Sequence, residues 1–211
     1  MSHLSGLADA PNEISTWRKQ TRKDLIELRL QASARDRRIW SRHIGQFLNR
    51  LLPNPMGQVL GFCWPYKGEP NVLSFVHRWI EQGGKAALPV VVQPQAPMVF
   101  RPWHPAAPMT TGVYEIPIPL DESQLHPDVL LIPLTGFDNS GFRLGYGGGF
   151  FDRTVVALEP RPKMIGVGFE LSRIASIRPQ PHDQPMELIV TESGIFNPCN
   201  AQVITPLSGN V

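Results

Sequence analysis

The sequence predicts an α/β domain: a mostly parallel sheet with crossover helices, and an N-terminal helical pair folded onto it. Two patterns predict it. Short apolar runs of strand length alternate with stretches whose apolar residues recur at helical spacing, and the links between them are short. The densest glycine cluster follows one of the apolar runs, at the strand end where open parallel sheets gather ligands.

Residues 1–11 are small and polar without periodicity, so they are expected as a disordered leader. A single domain is expected over 12–202 and a loose tail over 203–211. From Asn12 the pattern turns helical, with Ile14, Trp17, Leu25 and Leu28 keeping one face apolar. Ser33 and Asp36 have capping-box spacing and start a second helix. Its stripe is Trp40, Ile44, Phe47, Leu48 and Leu51, and Pro53 and Pro55 stop it. Val72, Leu73, Val76, Trp79 and Ile80 mark a third helix ended by Gly83 and Gly84, flanked by strands at 58–63 and 86–91. The proline-rich stretch 93–127 holds shorter strand candidates at 98–100 and 113–116. A strand at 129–134 enters the glycine run, a helix over 150–158 leaves it, and strands follow at 164–169 and 188–191.

The glycine run carries the chemistry. Gly141, Gly145, Gly147, Gly148 and Gly149 fall within nine positions. Clustered glycine costs conformational entropy, and backbone amides free of side chains can converge on an anion in front of a helix N-terminus. Arg143 and Arg153 bracket the loop with fixed positive charge, and Asp152 can hold a divalent cation beside a phosphate. The run ends in neither Gly-Lys-Ser nor Gly-Lys-Thr, so it is not a Walker loop, and it does not fit the dinucleotide fingerprint cleanly. Read alone, its glycines suit a structural turn better than a phosphate site; with the Arg and Asp residues included, the two readings balance.

Composition narrows the classes. With 42% hydrophobic and 18% charged residues the chain is globular in character, and a net charge of +2 is too small for nucleic-acid binding by bulk electrostatics. Ten of the twenty Lys and Arg residues lie in the first fifty positions. Two cysteines, Cys63 and Cys199, are too few for a disulfide framework, and six scattered histidines lack zinc spacing. No secretory signal and no apolar run of membrane length is visible, so a cytoplasmic protein without membrane contact is expected.

The run Arg143-Leu144-Gly145-Tyr146-Gly147-Gly148-Gly149-Phe150-Phe151-Asp152-Arg153, preceded by Phe137-Asp138, resembles the 5-formyltetrahydrofolate cyclo-ligase (methenyltetrahydrofolate synthetase) family. Gly61-Phe62-Cys63-Trp64-Pro65 with Glu69, Ala87-Leu88-Pro89-Val90, Phe100-Arg101-Pro102-Trp103 and Pro181-His182-Asp183 support the resemblance, which extends from about Trp17 to Thr191. It implies a three-layer α/β/α sandwich similar to the phosphosugar isomerase and CoA-transferase group. It implies closure of 5-formyltetrahydrofolate to 5,10-methenyltetrahydrofolate with ATP as co-substrate and Mg²⁺ as cofactor, in a monomer or weak homo-oligomer. By resemblance, Arg18, Lys19, Gln20, Thr21 and Arg22 form an N-terminal nucleotide contact. Arg143, Leu144, Gly145, Tyr146, Gly147, Gly148, Gly149, Phe150 and Phe151 cradle the ATP phosphates, with Arg143 as the catalytic residue. Trp64, Glu69 and Tyr146 to Phe150 touch the reduced folate, and Asp152 and Asp183 bind the metal.

Each assignment has its own physical reading. Arg18 and Arg22, four apart, share a helical face and can reach one phosphate, although without the resemblance an exposed basic surface is the favoured reading. A carboxylate such as Glu69 suits the amino and ring N–H donors of a pterin, and Trp64 offers a flat wall for a heterocycle. Three departures from the family pattern stand out. Arg18 replaces a usual lysine, Glu187 replaces an aspartate after Asp183, and Phe150 and Phe151 replace commoner tyrosines. Two other readings stay open at this point: a non-catalytic folate- or nucleotide-binding relative, and an ATP-dependent enzyme acting on another heterocycle, as in thiamine-related salvage.

Overall fold

A computed structural model describes residues 11–200 and 202–204. Positions 1–10 of the expected leader and 205–211 of the expected tail lie outside the described residues. Helix α1 (Pro11–Gln31) begins one residue inside that leader, and α2 (Ala34–Leu51) follows after a short link. The Ser33 hydroxyl accepts from the Asp36 backbone N–H at 3.0 Å, as the spacing predicts. Ile44 and Leu48 of α2 are buried, with Trp40, Phe47 and Leu51 packed around them.

Strand β1 (Val59–Gly61), helix α3 (Leu73–Glu81) and strand β2 (Lys85–Val90) make the first crossover, with β1 and β2 parallel. Strand β3 (Val99–Trp103) lies antiparallel to β2 at the sheet edge, where Pro102 is tolerated because an edge strand has an unpaired side. A small ribbon of β4 (Met109–Thr111) and β5 (Pro117–Pro119) follows. The strand expected at 113–116 is a 3₁₀ turn over Val113–Glu115 at the ribbon tip. Tyr114 and Glu115 both have φ of 60°, a left-handed backbone that no strand accommodates.

Strand β6 (Val129–Pro133) pairs parallel to β1. Two short strands, β7 (Gly136–Phe137) and β8 (Arg143–Leu144), form a hairpin before α4 (Phe150–Ala157). Strands β9 (Lys163–Val167) and β10 (Leu188–Thr191) extend the parallel run. Strands β11 (Gly194–Asn197) and β12 (Gln202–Ile204) add two antiparallel strands beyond it. Val203 and Ile204, expected in the tail, therefore belong to the sheet.

The sheet order is β12-β11-β10-β9-β6-β1-β2-β3. Strand order runs outward in both directions from the β1–β6 pair, so the chain reverses its winding there. Successive residues of β6 feed two clusters: Val129 and Leu131 join α2 and α3, while Leu130 and Ile132 join Val155 of α4. The two clusters thus lie on opposite faces of the sheet. Helix α1 packs by Leu25 against Leu144 and Ile177. Leu28, expected on its apolar face, is 44% exposed, whereas Arg29 is 1% exposed.

Candidate active site

A cavity of about 390 Å³ opens beyond the carboxyl ends of β1, β2 and β6, where the winding reverses. Two loops line it from opposite chemical directions.

The first is the glycine loop. Leu144 of β8 turns into the core, so the neighbouring Arg143 side chain faces the cavity. Its Nη1 donates to the Gln184 carbonyl at 2.9 Å, and its Nη2 lies 3.1 Å from Asp152 Oδ1. Gly147 and Gly149 have φ of 96° and 64°, which only glycine adopts without strain. The carbonyls of the loop point to guanidiniums: Arg22 Nε donates to Gly145 O at 2.8 Å and Arg153 Nη2 to Gly148 O at 2.7 Å. Gly149 caps α4 with no side-chain hydrogen bond, so the first amides of that helix are left for an external acceptor.

Helix α1 supplies the rest of this wall. Arg18 Nη2 lies 3.0 Å from Asp183 Oδ2 and 3.1 Å from Oδ1, and Oδ2 also accepts from the Gln180 amide at 2.7 Å. Burial, with Arg18 next in weight, lowers the Arg22 guanidinium from its usual value. Arg18, Arg22 and Arg143 face only two lining carboxylates, Asp152 and Asp183, leaving this wall with surplus positive charge.

The second loop leaves β1 and carries Trp64, Tyr66, Lys67 and Glu69 into the lining. Glu69 is buried. Its Oε1 accepts from the Tyr146 hydroxyl at 2.8 Å and its Oε2 from the Tyr66 amide at 3.0 Å. Desolvation raises its carboxyl above the usual value, opposed by the hydrogen bond from Tyr146, the charge of Arg29 and the Tyr66 amide. Trp64 stands edge-on to Trp103 with ring centres 6.0 Å apart. Val113, Tyr114, Ile116 and Ile118 of the β4–β5 ribbon close the side between the loops with apolar surface.

Most of the residues singled out in the sequence converge here. Arg18, Arg22, Trp64, Glu69, Arg143, Gly145 to Phe151, Asp152 and Asp183 all line the cavity. Lys19, Gln20, Thr21 and Leu144 do not: Lys19 and Gln20 are exposed, Gln20 donates to Asp24 at 2.7 Å, and Leu144 is core. Glu187 is exposed and accepts from the Met164 amide at 2.9 Å, so it braces the start of β9 rather than the cavity. Among the described residues no group of three or more His, Cys, Asp or Glu side chains is arranged for a metal. Arg29 and the ribbon tip were not legible beforehand. A signal for Arg29 exists: Arg18, Arg22, Leu25 and Arg29 follow one helical face.

Residues 14–192 match the sequence pattern of the 5-formyltetrahydrofolate cyclo-ligase family. A 5-formyltetrahydrofolate cyclo-ligase of Escherichia coli (strain K12) is 27% identical over 151 residues, covering 68% of this chain and 83% of the relative. One from Mycoplasma pneumoniae is 24% identical over 177 residues, covering 81% and 96%. In three dimensions, a 5,10-methenyltetrahydrofolate synthetase of Aquifex aeolicus superposes with a TM-score of 0.76 at 21% identity, over 92% of this chain and 99% of that one. The synthetase of Mycoplasma pneumoniae gives 0.69 at 22%, over 83% and 98%. These solved structures share the fold.

Proposed function

The chain belongs to the 5-formyltetrahydrofolate cyclo-ligase family, and from that premise we propose that it closes 5-formyltetrahydrofolate to 5,10-methenyltetrahydrofolate, converting ATP to ADP and phosphate. One observation carries the reading: a cationic glycine loop and a buried carboxylate line a single cavity, joined by the Tyr146 hydroxyl. A triphosphate suits the first wall, and a heterocycle rich in N–H donors suits the second.

The chemistry explains what the residues must do. A formyl group on nitrogen is a poor electrophile, because the nitrogen lone pair donates into the carbonyl. Transfer of the γ-phosphoryl group to the formyl oxygen makes that oxygen a leaving group. The neighbouring secondary amine then attacks the carbon and loses its proton, the C–O bond breaks, and phosphate departs with the ring closed. No covalent bond to the protein is needed. The protein aligns the formyl oxygen with the γ-phosphate and neutralises developing charge through loop amides, Arg143, Arg18 and Arg22.

Glu69 holds the pterin donors, and Trp64 and the ribbon supply apolar contact. Asp152 and Asp183 are hard oxygen donors of the kind Mg²⁺ takes. Both Asp152 contacts fall on Oδ1, so its Oδ2 is the donor open to a cation, while Arg18 lies within 3.0–3.1 Å of both Asp183 oxygens and would have to yield one of them. When bound, the ion would neutralise phosphate charge. We further read the fold as a three-layer α/β/α sandwich of the phosphosugar isomerase and CoA-transferase kind, and the protein as cytoplasmic, a monomer or weak homo-oligomer. Among the described residues, no helix is long and apolar enough to cross a membrane.

The test is direct. Purified protein mixed with ATP, Mg²⁺ and 5-formyltetrahydrofolate should develop the ultraviolet band of the methenyl product. No product above a no-enzyme control at saturating substrates would show the reading to be wrong.

A further inference from the structure

Arg29 is 1% exposed and sits on the inner face of α1, two turns beyond Arg22. Its guanidinium is divided among three segments, two of which line the cavity. Nε donates to the Lys67 carbonyl at 3.0 Å, Nη2 donates to the Tyr146 hydroxyl at 3.0 Å, and Nη1 points to the Leu134 carbonyl at 3.5 Å. Those acceptors belong to the loop after β1, the glycine loop and the exit of β6. The Tyr146 hydroxyl in turn donates to Glu69 Oε1 at 2.8 Å. Burying a guanidinium is costly unless its donors are used and its charge is matched. Here the charge is matched by Glu69, reached through one phenol oxygen. An apolar side chain would fill this place on the helix more cheaply.

We propose that Arg29 is a positioning residue for the folate side of the reaction: it fixes the Tyr146 hydroxyl and the Lys67 carbonyl, so that Glu69 meets the pterin as an oriented carboxylate. The assignment rests on the reading of this cavity as a folate site. Glu69 faces Arg29 from α1, Tyr146 from the glycine loop, and Cys63 and the Tyr66 amide from its own loop, while the Lys67 ammonium lies over the Tyr66 ring. Burial first, and Glu69 second, push the Cys63 thiol up, so it stays neutral and adds no charge beside Glu69. Burial raises the Glu69 carboxyl, and Tyr146 and Arg29 oppose that rise. Removing Arg29 therefore carries the ionisation of Glu69 to higher pH. A residue that merely filled space would leave that ionisation where it is.

The experiment titrates 5-formyltetrahydrofolate calorimetrically into wild type, Arg29→Met and Arg29→Lys from about pH 5 to 8, with a non-hydrolysable ATP analogue titrated separately. For Arg29→Met the folate Kd should rise about tenfold or more, and the acid limb of its pH profile should move to higher pH. The ATP-analogue Kd should stay within about twofold. Arg29→Lys keeps the charge but loses the fork, so its Kd should rise severalfold with the acid limb near that of wild type. Unchanged folate affinity in Arg29→Met, or equal weakening of both ligands with an unmoved limb, would overturn the assignment. If Arg29→Met does not fold, Arg29→Lys decides, and a wild-type folate Kd there overturns it. Wild-type protein that binds the ATP analogue but no 5-formyltetrahydrofolate at any pH would remove the folate reading itself, and this assignment with it.

Discussion

The glycine loop leaves the β7–β8 hairpin and the loop carrying Glu69 leaves β1, and they meet the same cavity, yet they are built on opposite principles. The first has no side chain at four of its five central positions and takes its character from backbone direction and surrounding guanidiniums. The second concentrates its charge in one desolvated carboxylate with two hydrogen-bond donors. Redundancy is the difference. Several cations share the work on one wall, while a single acid does it on the other. The first wall should therefore matter most for the rate of chemistry, and the second for the affinity of one ligand.

The largest expected effect tests the shared wall where it is least shared. Arg143→Met removes the ties to both Asp152 and Gln184. Steady-state kinetics should show kcat down roughly 10²–10³-fold with folate KM little changed. A loss under about tenfold would mean that Arg18 and Arg22 cover for it. On the opposite wall, Glu69→Gln keeps size but loses charge and turns one acceptor into a donor. Folate binding should weaken by about 2–4 kcal/mol and ATP binding hardly at all, as read by calorimetry. Equal weakening of both ligands would erase the contrast between the walls.

Two smaller effects sharpen the comparison. Gly149→Ala forces a left-handed conformation on a residue with a Cβ, at a cost of about 1–2 kcal/mol, visible as a lower Tm. The new Cβ would also sit 2.7 Å from Arg153 Nη1, so that guanidinium must shift off its loop. The smallest effect is a pair of pH slopes. Glu69 ionises above its ordinary value of 4.5, so the folded chain keeps a proton that the unfolded chain has lost. Its contribution to the stability of the ligand-free protein therefore falls as pH rises from about 4.5 through the raised value. Folate affinity rises over the same window, because the pterin donors require the carboxylate. Glu69→Gln should flatten both slopes, measured as differences in Tm and Kd from wild type.

Much of this was legible in the sequence because it is local. The Ser33 cap, the α2 stripe and strand β6 are all written within a few residues of where they act, whereas the β7–β8 hairpin between β6 and the glycine run is not. The turn at Val113–Glu115 was misread because apolar residues among prolines look like a strand, whereas two left-handed residues are a property of backbone geometry alone. Asp138 accepts from the Ser140, Phe142 and Ile177 amides, which makes it a brace for the hairpin, a role that depends on a residue 39 positions away. Arg29 was passed over because a charge on a helix reads as solvated until the acceptors that surround it are known. Their positions, Lys67, Leu134 and Tyr146, lie in three separate elements.

The bond from Arg18 to Asp183 joins residues 165 positions apart. During synthesis the glycine loop emerges before Asp183, so the cavity stays open on that side until that residue has left the ribosome. Contacts of such sequence separation close late, because a long loop must be ordered before they form. A nascent chain cut short of residue 183 would carry an incomplete pocket with no means of closing it.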